Sequence, residues 1–357
     1  MKKKFTAFII AVILCLAFVP LFAGCSAKTV YTLKEDEAGN KYYVASFSGF
    51  PNGLKGELVI PEEYDGLPVK EIAAEGFAGT SITSLVIPKT VTEIGTAAFA
   101  YNYSLQKVTF ADGCQIAEIA QGMFGYCSSL NEVLIPSTVK KVGPMAFINC
   151  TSLAVVNLSD GLEVISAMAF AGCTSLKEIE LPQNLTTIGE QAFYTTSLTG
   201  IIIPDSVRDI EKEVLDENGQ PKLDDKGNVI KTTTYGVGLG AFHTCTEMKY
   251  AVIGKGIKTL RSGAFGYCPA MERLYLPKSI ESIEGAYIED GEVIYKHAFH
   301  HNGSLAEVYF EGTEEEWRAL LKNTNNDTVT VKGDSEKYDN SALFNAHINY
   351  ESLGLPE

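Results

Sequence analysis

The chain has 357 residues, 46% of them apolar and 20% charged. That is enough for a large buried core and too apolar for a disordered chain. The formal net charge of −15 excludes a nucleic-acid binder, which needs basic surface, and excludes electrostatic docking on anionic lipid.

Residues 1–24 read as a secretory signal peptide. Lys2, Lys3 and Lys4 form a basic start, and Phe5 to Phe22 is an apolar run broken only by Thr6 and Pro20. The stretch Leu21-Phe22-Ala23-Gly24-Cys25 resembles a bacterial lipobox, although Phe22 stands where Leu is usual. The resemblance implies cleavage before Cys25 and attachment of a diacylglycerol to its thiol. Each buried CH₂ then adds about 0.8 kcal/mol of membrane affinity. No later apolar run approaches the roughly 20 residues that span a bilayer. Loss of the three leader lysines, with no acid lost, takes the charge from −15 to −18. An acidic body of this kind needs the lipid to stay near a membrane, on its outer face.

Residues 25–55 are expected to hold an anchor linker and an N-terminal cap. Tyr31, Leu33, Tyr42, Val44 and Phe47 flank a turn at Ala38-Gly39-Asn40, the pattern of a hairpin. From residue 56 to 310 one phrase recurs, anchored on Phe77, Phe99, Phe124, Phe147, Phe170, Phe193, Phe242, Phe265 and Phe299. The steps between anchors are 22, 25, 23, 23, 23, 49, 23 and 34 residues. The period is therefore about 23, with two long steps that are insertions. Within a repeat, Leu130, Val133 and Ile135 point inward and alternate with Glu132 and Leu134, as in a strand. Pro136 ends that strand because it donates no backbone hydrogen bond, and Pro61, Pro88, Pro182, Pro204 and Pro277 take the same place. A short apolar element such as Val139 and Val142 follows, then a turn and the Ala-Phe pair. Such a period predicts a leucine-rich-repeat β-solenoid, right-handed, of nine repeats.

The two insertions, 211–235 and 284–295, read as β-hairpins. The first carries Val214, Leu215, Leu223, Val229 and Ile230 around two turns rich in Asp, Asn and Gly. The second carries Tyr287, Ile288, Val293 and Ile294 around Glu289-Asp290-Gly291. Both are expected to leave the repeat at the same point, before the Ala-Phe pair, and so to protrude on one side. Residues 311–357 are expected to form the C-terminal cap and tail. Trp317, Leu320 and Leu321 share a helical face, the polar stretch from Asn323 to Asn340 reads as a loop, and Leu343, Phe344 and Ile348 suggest a last strand.

The repeats resemble the BspA-like family of leucine-rich-repeat surface proteins, over about Gly56 to Phe310. Residues 309–317 (YFEGTEEEW) look like that family's closing segment. The resemblance implies an extracytoplasmic location and a role in adhesion or partner binding, without fixing one ligand.

Cys127, Cys150, Cys173, Cys245 and Cys268 each follow the anchor Phe by three residues, where other repeats have Thr80, Asn102, Thr196 and Asn302. A column accepting Cys, Asn or Thr asks for a small hydrogen-bonding side chain. Disulfides or a metal site are the alternatives, but five cysteines cannot all pair, and Cys114 lies outside the column. His297 and His301 have i, i+4 spacing without an evident third metal ligand, and His300 lies between them. Asp216, Asn218, Asp224, Asp225 and Asn228 lack the twelve-residue calcium-loop form and suit ordinary turns. No metal or cofactor is expected. The motifs G-x-S-x-G, H-E-x-x-H and the P-loop are missing from the sequence, so binding is expected and catalysis is not. A surface spacer, and an enzyme with a site near His297, are the competing readings. The outward strand column reads Val86, Thr109, Leu134, Asn157, Glu180, Ile202, Val252, Tyr275 and Tyr309, and a second holds Glu132, Glu178, Tyr250, Arg273 and Glu307. The C-terminal members Tyr250, Val252, Arg273, Tyr275, Glu307 and Tyr309, together with the two hairpin insertions, are the expected contacts for an extracellular protein or glycan, because exposed aromatics suit recognition and solenoid insertions map to one face.

Overall fold

The computed structural model describes residues 28–49, 53–217, 219–220, 221–224, 226, 228–285, 287–289, 292–295, 297–323 and 340–351. The signal peptide, Cys25, Asn218, Asp225, residues 290–291 and most of the stretch 323–340 therefore lie outside the described residues, as does the side chain of Phe344.

The chain is a β-solenoid of about ten coils of ~24 residues. Its first element is the expected hairpin: strand Lys28–Glu35 pairs antiparallel with Lys41–Ser48. Asp36 closes the turn by accepting hydrogen bonds from the amides of Ala38 and Asn40 at 3.0 and 2.9 Å. The second strand then pairs parallel with Leu67–Ile72, so the hairpin covers the first coil.

Each regular coil contributes one short parallel strand to a broad face. One run joins Lys55–Val59, Ser81–Ile87, Lys107–Phe110, Glu132–Leu134 and Val155–Asn157. A second joins Gly200–Ile202, Tyr250–Val252, Arg273–Leu276, Glu307–Phe310 and His347–Tyr350. A narrower ladder runs behind, pairing Val142 with Ile165 and Ile165 with Ile188. Parallel stacking lets each coil satisfy its backbone through its neighbours.

The Phe column is the core. All nine anchors are fully buried, and consecutive rings stack at 5.2–5.9 Å. Their amides form a further ladder, with Phe147 donating to the Ala169 carbonyl and Phe170 to that of Ala192, each at 2.8 Å. The turns on both sides of the Phe need left-handed backbone. Two residues before it, Glu75, Ala97, Met145, Met168 and Gln191 have φ of 53–56°. Two residues after it, Tyr101, Tyr126, Asn149, Thr195, Thr244, Tyr267 and His301 have φ of 55–64°. Non-glycine residues pay about 1–2 kcal/mol for this conformation, so the stacked interior offsets a repeated local cost.

The C-terminal cap matches expectation in part. Helix Glu314–Asn323 buries Trp317 and Leu320 against Phe310 and its neighbours, and strand His347–Tyr350 extends the face. Leu343 belongs instead to a short helix, Ser341–Asn345. Asn340 is wholly buried: its side-chain oxygen accepts from the Phe299 amide at 3.1 Å.

The insertions depart from expectation at their roots. The first is an antiparallel ribbon, Ile210–Glu213 with Lys231–Thr234, tipped by two smaller turns. It leaves before the rear ladder, which resumes at Val237 beside Ile188. The second, Tyr287–Glu289 with Glu292–Tyr295, leaves after that ladder, beyond Ile283 beside Leu260. The common exit point expected from sequence is therefore corrected. Asp209 makes the earlier exit workable, because its carboxylate accepts from the amides of Gly236 at 2.8 Å and Thr259 at 3.0 Å.

Candidate functional site

The small-residue column behind the Phe stack is structural. Cys127 Sγ donates to the Phe99 carbonyl at 3.2 Å, Cys150 to Phe124 at 3.0 Å, Cys173 to Phe147 at 3.2 Å, Cys245 to Phe193 at 3.3 Å and Cys268 to Phe242 at 3.3 Å. Asn102 and Asn302 donate from their amides to the carbonyls of Phe77 and Phe265, at 2.8 and 3.0 Å. Each thus binds the coil before it. These cysteines and Cys114 are free and buried. Burial lifts the Cys127 thiol to about 12 and that of Cys245 to about 11, which is opposite to the activation of a nucleophile.

The histidines do not gather with other ligands. Among the described residues no group of three His, Cys, Asp or Glu side chains can hold a metal. His300 ring nitrogen Nδ1 lies 2.8 Å from the His297 carbonyl oxygen, and its ring packs 5.2 Å from that of His243. Asp224 turns the ribbon tip by accepting from the amides of Lys226 and Asn228.

On the broad face, exposure runs opposite to the sequence expectation. Thr109, Leu134, Asn157, Glu180 and Ile202 are open, with Leu134 at 55% and Ile202 at 53% exposure. Val252 and Tyr275, expected on display, are buried, and Tyr275 keeps 2% of its surface. The reason lies in their neighbours. Tyr275 stacks on Tyr309 at 4.6 Å and 9°, and the tail strand crowds the same end. Burial raises the Tyr275 hydroxyl above its ordinary pKa. Arg273, Glu307 and Tyr309 remain partly exposed, and Glu307 is held by Asn349 at 2.7 Å and His347 at 3.1 Å, hydrogen bonds that lower its pKa.

Tyr250 is the expected contact residue that reaches an open site. Its ring lies across Gly200, where a Cβ would come within 2.3 Å of the ring. Glycine there lets the aromatic lie flat on the strand. The ring borders a groove of about 830 Å³ lined also by Val155, Asn157, Asp160, Glu178, Ile179, Glu180, Gln183 and Ile202. That volume falls within the roughly 300–1,000 Å³ of ligand sites.

The groove sits where the face is interrupted. Strand Val155–Asn157 ends one run and Gly200–Ile202 begins the next. The intervening coil, residues 176–181, has no strand. The bond made in regular coils just after the strand, as from Ile135 to Asn157 at 3.0 Å and Ile203 to Val252 at 2.9 Å, is not repeated at Leu158 or Leu181 among the described residues. The Thr199 amide still donates to the Lys177 carbonyl at 2.9 Å.

Sequence reasoning also missed an aromatic edge at the turns after the Phe. Tyr101 and Tyr126 stack at 4.9 Å, Tyr194 meets His243 at 5.7 Å and Tyr267 meets His301 at 5.0 Å. Tyr103 and Tyr267 are 58% and 46% exposed. Aligning the repeats at one and two residues past the Phe would have shown it.

The stacked coils, the single Phe spine and the open sheet define a solenoid repeat protein with one extended presenting face. The chain belongs to the BspA-type leucine-rich-repeat family, whose model matches in six copies over residues 70–117, 113–220 and 227–350. Similar solved structures include a leucine-rich cell surface protein from Faecalibacterium prausnitzii A2-165, at 20% identity over 85% of this chain and 98% of that one, with a TM-score of 0.37. The pneumococcal vaccine antigen PcpA is similar at 15% identity over 93% and 98%, with a TM-score of 0.42. A leucine-rich-repeat protein from Bacteroides ovatus ATCC 8483 is similar at 19% identity over 85% and 98%, with a TM-score of 0.34. Among curated proteins no match was found. No helix among the described residues is long and apolar enough to cross a membrane.

Proposed function

We propose that the chain is a bacterial cell-surface protein, held on the outer membrane face by lipid at Cys25, which captures a protein or glycan partner through its sheet face and does no chemistry of its own. The observation that carries this reading is the uncovered middle of the face, where Leu134, Val155 and Ile202 remain 45–55% exposed and the latter two line the groove. Large apolar side chains left exposed around a groove on an open sheet suit a partner-binding surface. Family membership supports a binding or adhesion role. Tyr250 is the central contact, Arg273, Glu307 and Tyr309 lie towards the rim, and the buried Val252 and Tyr275 brace their neighbours.

Proximity labelling on intact cells tests it. Wild-type chain should enrich one partner, and Ile202→Ser with Tyr250→Ser should lose that enrichment while keeping the same unfolding midpoint. Equal capture by the double variant would refute the face. For the anchor, Cys25→Ser should move the chain from the detergent phase to the aqueous phase; unchanged partitioning would refute lipidation.

A further inference from the structure

The groove carries more information than its shape. Its charged lining residues are Asp160, Glu178 and Glu180, with no lysine or arginine among them. Among the described residues none of these three carboxylates makes an ion pair. Some acids elsewhere are matched by bases, such as Glu118 by Lys141 at 3.0 Å, Glu281 by Lys258 at 2.7 Å and Glu311 by Lys255 at 2.9 Å; the groove instead gathers three acids with no base in its lining. A cleft lined by one sign of charge concentrates its field and draws the opposite charge. Beside the acids lies the flat ring of Tyr250 over Gly200. A ring face next to carboxylates suits a guanidinium, which can stack on the ring while donating paired hydrogen bonds to a carboxylate.

The neighbouring backbone adds a second preference. Among the described residues, residues 178–181 make no ladder bond to Val155–Leu158, beside the apolar Val155, Ile179 and Ile202. A gap in the ladder flanked by apolar side chains suits an extended polypeptide, which brings its own amides and carbonyls.

We infer that the groove over residues 176–181 takes an extended, arginine-bearing segment of a protein partner, with a guanidinium against Tyr250 and the carboxylates of Asp160, Glu178 and Glu180. The inference rests on the binding role proposed above and narrows its partner to a cationic polypeptide.

Fluorescence anisotropy with the full chain in detergent micelles tests it, using a labelled (Gly-Arg)3 peptide, a (Gly-Gln)3 peptide of equal length and neutral chitohexaose. The arginine peptide should bind and the glutamine peptide should bind at least about ten-fold more weakly. Glu178→Gln with Glu180→Gln should weaken the arginine peptide about ten-fold, and Glu213→Gln with Glu217→Gln on the ribbon should leave it unchanged. Tyr250→Phe should preserve binding and Tyr250→Ser should reduce it. Equal losses from the ribbon variant would mean diffuse attraction to an acidic protein and would overturn the inference. Equal binding of the two peptides would overturn it as well. Binding of chitohexaose alone would overturn it in favour of a glycan while leaving the capture role intact. Failure of the wild-type chain to enrich any partner in the earlier test, with the arginine peptide still bound, would instead remove the proposed role and leave the groove chemistry standing.

Discussion

The rings of Phe147 and Phe170, 23 residues apart, lie 5.3 Å from centre to centre and within 4° of parallel. Neither exposes any surface. Each coil therefore borrows its core from the coils on both sides, and a defect in one ring is felt by two neighbours. Phe147→Ala should lower the unfolding free energy by about 3–5 kcal/mol, read as a fall in the urea midpoint. A loss under about 1 kcal/mol, the scale of a surface change, would contradict the stacked interior.

The cysteine column makes a chemical prediction. At pH 8 the thiols of the folded chain should resist Ellman's reagent and react fully in urea, because burial keeps them protonated. The folded pKa values are raised above the ordinary value of 9.0, to about 12 for Cys127 and about 11 for Cys245. Stability from these protonated thiols is therefore present below pH 9 and is lost as pH rises towards 11–12, since the unfolded chain ionises first. Cys127→Thr should flatten that alkaline fall in the urea midpoint. A steeper fall would contradict the assignment.

The left-handed turns predict a gain. Thr195 is β-branched yet sits at φ 57°, and other coils place Gly79 and Gly172 at the same point of the repeat. Thr195→Gly should raise stability by about 1 kcal/mol, the relief of left-handed strain less the added chain entropy. Calorimetry should show a higher Tm, and a lower one would refute the strain.

Asn340 ties the tail to the last anchor coil through its bond from the Phe299 amide. Asn340→Ala leaves that buried amide without its partner and should cost about 1–3 kcal/mol. The loss should appear as faster exchange of the Phe299 amide. Unaltered exchange there would contradict the tether.

Much of the fold was legible in the sequence, for a physical reason. A solenoid repeats one local solution, so spacing alone located nine Phe residues, the inward Leu130, Val133 and Ile135, and the column at Cys127. The hairpin cap and the helix carrying Trp317 were legible because their apolar residues keep periods of two and near four. The insertion roots were not, because Asp209 supplies a carboxylate cap that spacing does not reveal. The binding face was legible as a column but not in its exposure. Strand alternation sets Tyr275 in the same column as Tyr309, but its burial comes from Tyr309 and the tail strand, which only the assembled coils bring together. The opening at residues 176–181 was hidden for the opposite reason: Leu176-Lys177-Glu178-Ile179-Glu180-Leu181-Pro182 keeps the strand pattern of its neighbours, while among the described residues the ladder bonds at Leu158 and Leu181 are not made.

Native-state hydrogen exchange, read amide by amide, tests the interrupted face most directly. The account predicts that the amides of Leu158 and Leu181 exchange far faster than those of Ile135 and Ile203, and slow when the arginine peptide is added. Protection of Leu158 and Leu181 equal to that of Ile135 and Ile203 in the free protein would mean an unbroken sheet, and the site built on its opening would be contradicted.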